Sequence, residues 1–198
     1  MGLVQVQGLL AQLYTDAKLR ERFFSDTHAV SEGYGLSPDE ARQLSQISPT
    51  QVTFFADSLR RKRHNGIAKL LPLSARALGE RFAELFTEFA DTFVPSGANK
   101  QRQDARAFAS FIEGIAQGRQ MGPPWVIELL RYEAAELAAS DPTSHCVIRW
   151  FREPISALVQ RSADLQVPLQ SSRHTLAIWF RLLPGRRPWH FTLSLPHV

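Results

Sequence analysis

The sequence predicts a mainly α protein, with about six or seven helices in an orthogonal arrangement followed by a small antiparallel β element. Three observations predict it. Apolar residues recur every three or four positions as far as Ala139. Capping residues and prolines punctuate that pattern into separate helices. After Ser140-Asp141-Pro142 the apolar period changes to two, which is the strand signature. Residues 1–140 therefore read as a helical domain, and residues 141–198 as a smaller part containing a β-hairpin packed on the helices.

The first helices are short and well capped. Leu3, Val6, Leu10 and Leu13 fall on one helical stripe. Thr15 or Asp16 is placed to cap a second helix through Phe24, with Leu19 and Phe23 on one face. Asp26 caps a third, which ends between Gly33 and Gly35, where a left-handed residue satisfies the last carbonyls. Ser37-Pro38-Asp39-Glu40 then offers an N-cap, a first-turn proline and a glutamate three residues after the serine. That is a capping box.

Ser48-Pro49 opens a helix with Val52, Phe55, Ala56 and Leu59 as its buried stripe. It is expected to run through Arg60-Arg61-Lys62-Arg63-His64 and stop at Asn65-Gly66, its cations complementing the helix dipole. Ile67 to Leu71 reads as a further turn before Pro72. Leu78, Phe82, Leu85, Phe86, Phe89 and Phe93 predict one long helix from about Ser74 to Val94, with Glu80, Glu84, Glu88 and Asp91 outward. Phe108, Phe111, Ile112 and Ile115 mark a helix from about Asp104 to Gln117. Pro123-Pro124-Trp125 starts the next, reaching about Ala139.

Cys146-Val147-Ile148-Arg149-Trp150-Phe151 reads as a strand. A turn at Pro184-Gly185-Arg186-Arg187 pairs Leu182 with Trp189, Phe180 with Phe191, Ile178 with Leu193 and Leu176 with Leu195. All four pairs then share one apolar face, with Arg181, His190, Thr192 and Ser194 on the other. A lone hairpin is marginal in water, so this apolar face is expected to lie on the helices or on a sheet with the earlier strand.

Composition narrows the function classes. The chain has 198 residues, 44% hydrophobic and 21% charged, enough to bury a core. A single cysteine excludes an internal disulfide and a Cys-rich zinc site, and Cys146 reads as a small buried residue. Met1 to Leu13 lacks a basic segment and is interrupted by glutamines, so no secretory signal is read there. No apolar run approaches the ~18 residues that span a bilayer, and a cytoplasmic protein without membrane attachment is expected. Net charge of +4 and a pI of about 9.6 permit an anionic partner.

No catalytic constellation is recognisable, and no cofactor-binding motif. His28, His64, His145, His174, His190 and His197 form no HxxxH, HxH or HExxH pattern. The hairpin register sets His174 opposite His197, but no third ligand is near in sequence. His145 and Cys146 point to opposite faces of a strand, which disfavours a Cys–His pair. Phosphate loops and a GxSxG elbow are absent. The candidate binding residues are the cations Arg60, Arg61 and Arg63, and the aromatic and basic set Trp179, Arg181, Arg186, Arg187 and His190. Most of the C-terminal aromatics, Trp150 and Trp189 among them, are assigned to the core.

Three stretches together carry a family resemblance. They are Leu13-Tyr14-Thr15-Asp16 with Leu19-Arg20, Phe23, Asp26 and Gly35-Leu36-Ser37; Ser58 to Arg63 with Leu70-Leu71-Pro72-Leu73 and Leu78-Gly79-Glu80-Arg81-Phe82; and Pro123-Pro124-Trp125 with Leu130-Arg131-Tyr132-Glu133. Over about the first two-thirds, the chain resembles an uncharacterised bacterial family of helical proteins. Members are similar to modules fused to, or encoded beside, multinuclear non-heme iron enzymes that modify ribosomally made peptides. The resemblance implies a non-catalytic adaptor whose β-containing C-terminal part helps hold the substrate peptide, the iron enzyme being another chain. A hairpin edge suits that role, because an extended peptide can add to it as a further strand. The alternative is a nucleic-acid-binding regulator using the basic helix end, with affinity that falls steeply with salt.

Overall fold

A computed structural model describes residues 2–95, 99–163, 173–182 and 186–196. The protein is mainly helical with a small antiparallel sheet at its C-terminal end. Among the described residues there are ten helices: α1 (Gly2–Thr15), α2 (Ala17–Ser25), α3 (Thr27–Gly33), α4 (Pro38–Ser45), α5 (Pro49–Leu70), α6 (Pro72–Leu78), α7 (Glu80–Ala90), α8 (Lys100–Ile115), α9 (Pro124–Ala139) and α10 (Ile155–Ala163). Three strands, β1 (Cys146–Phe151), β2 (Arg173–Phe180) and β3 (Trp189–Pro196), pair in the order β1-β2-β3. The chain forms two compact units, Met1–His64 with Ala90–Val94, and Asn65–Phe89 with Pro95–Val198.

The first unit is organised by its caps. Asp16 accepts the Leu19 N–H at 3.0 Å, and Asp26 accepts the Ala29 N–H at 2.9 Å. Gly35 is left-handed (φ 70°) after α3. The capping box at Ser37 forms in both directions: Ser37 Oγ accepts the Glu40 N–H, and Glu40 Oε2 accepts the Ser37 N–H at 2.8 Å. These tight turns fold α1–α4 and the start of α5 around Leu9, Leu13, Leu19, Phe23, Leu44 and Val52. The buried stripe of α1 is centred on Leu9 and Leu13, whereas Leu3 is 70% exposed. On α5, Val52 and Ala56 are buried, but Phe55 lies largely outside and rests on Tyr14, with ring centroids 4.6 Å apart.

Two helix boundaries differ from the sequence expectation, and burial explains both. α5 does not stop at Asn65-Gly66 but continues to Leu70. An interior glycine costs a helix about 1 kcal/mol. Here that cost is outweighed by burying Ile67 and Leu71, both essentially inaccessible. Arg60–Arg63 therefore lie within the helix rather than at its end, so the dipole argument for them fails. Conversely, the expected single helix over 74–94 is two, α6 and α7, divided at Gly79. Its backbone (φ 57°, ψ −130°) is one that a residue with a Cβ rarely adopts. Leu78, Phe82, Leu85, Phe86 and Phe89 are nonetheless all buried as expected. Phe82, Phe86 and Phe89 pack around Phe108 of α8 at centroid distances of 5.1–6.0 Å.

The second unit is held together by a buried carboxylate. Glu133 on α9 accepts the Leu73 N–H (2.7 Å) and the Ser74 N–H (2.8 Å), and also a hydrogen bond from the Ser74 hydroxyl. It thus satisfies orphan donors at the first turn of α6 from a different helix. Burial pushes its pKa up, while the donors from Ser74 and Leu73 pull it back. Replacing Glu133 with alanine strands those donors in the interior. We expect Glu133→Ala to lower stability by on the order of 2–3 kcal/mol, read as a lower urea midpoint with an unchanged slope. Glu133→Gln, which keeps one acceptor oxygen, should fall between the two.

Candidate functional site

The sheet is the part of the second unit whose chemistry is unusual. β2 is its central strand, pairing with β1 (Ile148 opposite Ile178) and with β3 (Ile178 opposite Phe191). The hairpin register differs by two residues from the expected one: Phe180 faces Trp189, Leu176 faces Leu193, and His174 faces Leu195. An even shift preserves which side chains share a face. Arg181, just past β2, donates its N–H to the His145 carbonyl and its Nη2 to the Ala139 carbonyl at 2.9 Å. In the observed register His174 does not face His197, which lies outside the described residues, as do Pro184 and Gly185 of the expected turn.

Which face is buried reverses the expectation. Phe151, Ala177 and Trp179 pack on Leu129, Tyr132, Ala135 and Ala139 of α9 and on Ile155 and Leu158 of α10. Thr175 is buried with them, and its Oγ1 accepts the Ile155 N–H at 3.3 Å at the start of α10. The large apolar side chains are left on the other face. Ile148, Trp150, Trp189, Phe191, Leu193 and Leu195 are 38–60% exposed there. Trp150 and Trp189 are thus surface residues rather than core, and Cys146, on the same face, is exposed rather than buried. Trp189 lies nearly parallel to Phe191 (9°), and Phe180 to Phe191 (13°), so three aromatic rings stack at one end of the face. Along β3 the side chains from Trp189 to Leu195 are exposed on both faces, and among the described residues β3 is paired on one side alone.

The sequence-predicted site residues fall into both units. In the first, Arg60 pairs with Asp91, and Arg63 Nη2 donates to the Phe93 carbonyl at 2.9 Å. Both line a small cleft with Tyr14, Arg20 and Asp57, while Arg61 points into solvent. In the second, Trp179 is buried, and His190 stacks on it with ring centroids 4.6 Å apart and 7° between planes. Tyr132 is tilted against both rings, at 52° and 57°, and donates its hydroxyl hydrogen to Glu136 Oε1 at 3.0 Å. Arg186 and Arg187 are exposed between β2 and β3.

Sequence reasoning missed the outward apolar face. β2 is apolar on both sides, with Leu176, Ile178 and Phe180 on one and Ala177 and Trp179 on the other, and that two-sidedness was the available signal. A cleft of about 630 Å³ in the second unit also had no sequence signal. Met121 and Ile127 line it together with Glu113, Glu128, Glu153 and Arg131. Arg131 bridges Glu128 (3.1 Å) and Glu113 (3.9 Å), and burial pushes the Glu113 and Glu153 carboxyls up. Arg131 thus answers two of the three carboxylates. Among the described residues no three His, Cys, Asp or Glu gather to hold a metal ion, and no helix is long and apolar enough to cross a membrane.

These elements define a mainly α protein carrying a small C-terminal antiparallel sheet. Residues 46–113, about a third of the chain, match the family model described as SCO6045-like, C-terminal domain. The match spans α5 to α8 and ends before α9 and the sheet. No curated protein matches the chain.

Burial on Trp179 lowers the His190 pKa below its ordinary value, with Glu136 opposing the shift. The unfolded chain therefore binds a proton at this histidine more readily than the folded one. The stabilising share of His190 is present above about pH 6.5 and is lost as pH falls below it. We expect the stability difference between the protein and His190→Gln to shrink on moving from neutral to mildly acidic pH. Thermal melts of the two proteins followed by tryptophan fluorescence check this.

Proposed function

We propose that the chain is a non-catalytic binding or adaptor protein that holds a protein or peptide partner on its C-terminal sheet, with β3 accepting an extended segment as a fourth strand. One observation carries the reading. Among the described residues β3 is an edge strand, exposed on both faces from Trp189 to Leu195, beside a wide apolar surface. An unpaired strand edge offers main-chain donors and acceptors in register, and alternate side chains of an added strand would meet Leu193 and Phe191 on one face and Thr192 on the other. The sequence resemblance to modules that accompany multinuclear non-heme iron enzymes supports a ribosomally made precursor peptide as the ligand, the oxidase being a separate chain. The SCO6045-like match lies outside the sheet and speaks to neither point.

The competing reading, a nucleic-acid-binding regulator, draws on exposed Arg61, Arg186 and Arg187. The two separate cleanly. Peptides selected from a random library on the immobilised full chain should be apolar at alternate positions. On binding, they should slow hydrogen exchange at β3 amides and lose at least tenfold in affinity against Leu193→Lys. Protection confined to α5, or no selectable peptide, sinks the strand-addition reading. Salt-sensitive binding of a labelled duplex, lost in a variant with Arg61, Arg186 and Arg187 neutralised, would put the nucleic-acid reading in its place.

A further inference from the structure

The outward face of the sheet asks for a cover that strand addition at its edge does not supply. Its rows are set by the register: Cys146–Phe180–Trp189, Ile148–Ile178–Phe191, Trp150–Leu176–Leu193, and His174–Leu195. None of these residues is an acid, lysine or arginine. Most of the molecule's surface charge lies elsewhere, so the patch is an uncharged plane on a chain of net charge +4.

Two quantities identify the occupant. The first is area. Six large side chains about half exposed, at roughly 200 Å² each, leave on the order of 600 Å² of apolar surface. That is at the upper limit of what a monomer ordinarily exposes, about 300–600 Å². Two such faces pressed together bury about 1,200 Å², the lower bound of a specific protein–protein interface. The second is charge. A patch without charge cannot select an acidic or basic partner, yet it matches a copy of itself without leaving any charge buried and unpaired. A two-fold axis needs only one self-complementary patch, and two twisted antiparallel sheets stack face to face about 10 Å apart with their side chains interdigitating. Phe180, Phe191 and Trp189, stacked on one another, add aromatic area at one end of the face.

We propose that this face is a homodimer interface, on which the sheet of a second copy of the chain stacks to form a two-sheet sandwich across the axis. The strand edges stay open in this arrangement, so the proposal does not depend on peptide addition at β3. At the lower bound of interface area the association is expected to be weak and reversible.

Sedimentation velocity of the full chain across a hundredfold range of concentration tests it. The expected result is a shift from one to two copies for the natural sequence, and a single copy throughout for Leu193→Glu on β3 and for Ile148→Glu on β1. Both positions are exposed, so circular dichroism should show the variants folded. A natural chain that stays monomeric over the whole range overturns the proposal while leaving peptide binding at the edge untouched. So does a dimer that survives both substitutions, since its interface then lies elsewhere. Loss in Leu193→Glu but not in Ile148→Glu also overturns it, because that pattern belongs to edge-to-edge pairing of β3.

Discussion

The packing of Ala177 and Trp179 against α9 is the constraint on which the C-terminal half of this protein depends. Side chains on a strand alternate strictly, so committing Thr175, Ala177 and Trp179 to the interior commits Leu176, Ile178 and Phe180 to the other side. The neighbours follow through the ladder: Phe151 turns inward with Thr175, and Ile148, Trp150, Phe191 and Leu193 turn outward. One packing choice therefore produces both the small buried cluster and the broad exposed apolar face. It also places His190 on Trp179.

The helical parts are held by a different means, polar groups placed where backbone donors would be orphaned. Asp16, Asp26 and Ser37 do this locally in the first unit, each within three residues of the group it satisfies. Glu133 does it at a distance of sixty residues for Leu73 in the second. The difference matters energetically. A local cap holds one turn, whereas the Glu133 carboxylate ties α9, which carries the sheet, to the start of α6.

The cations that sequence reading singled out divide according to their use. Arg60 and Arg63 are engaged by Asp91 and by the Phe93 carbonyl, so they hold the Ala90–Val94 segment within the first unit. Arg181 serves the Ala139 carbonyl in the same way. Arg61, Arg186 and Arg187 are the members of the set that stand in solvent. The outward rows of the sheet, by contrast, carry no acid, lysine or arginine.

The sequence by itself determined the elements that depend on neighbours along the chain. The fold class, the capped helices α2 to α4, the aromatic stripe of α7, the proline start of α9 and the span of β1 were all legible, because caps, periods and turn residues act within a few positions. Where a boundary answered to distant packing it was not legible: α5 passes through Gly66 to bury Ile67, and the helix over 74–94 breaks at Gly79. Alternation showed which sheet residues share a face, and that survived a register shift of two. It could not show which face meets the helices, because β2 is apolar on both. Only the tertiary structure decided that, through the fit of Ala177 and Trp179 against Leu129, Tyr132, Ala135 and Ala139 of α9.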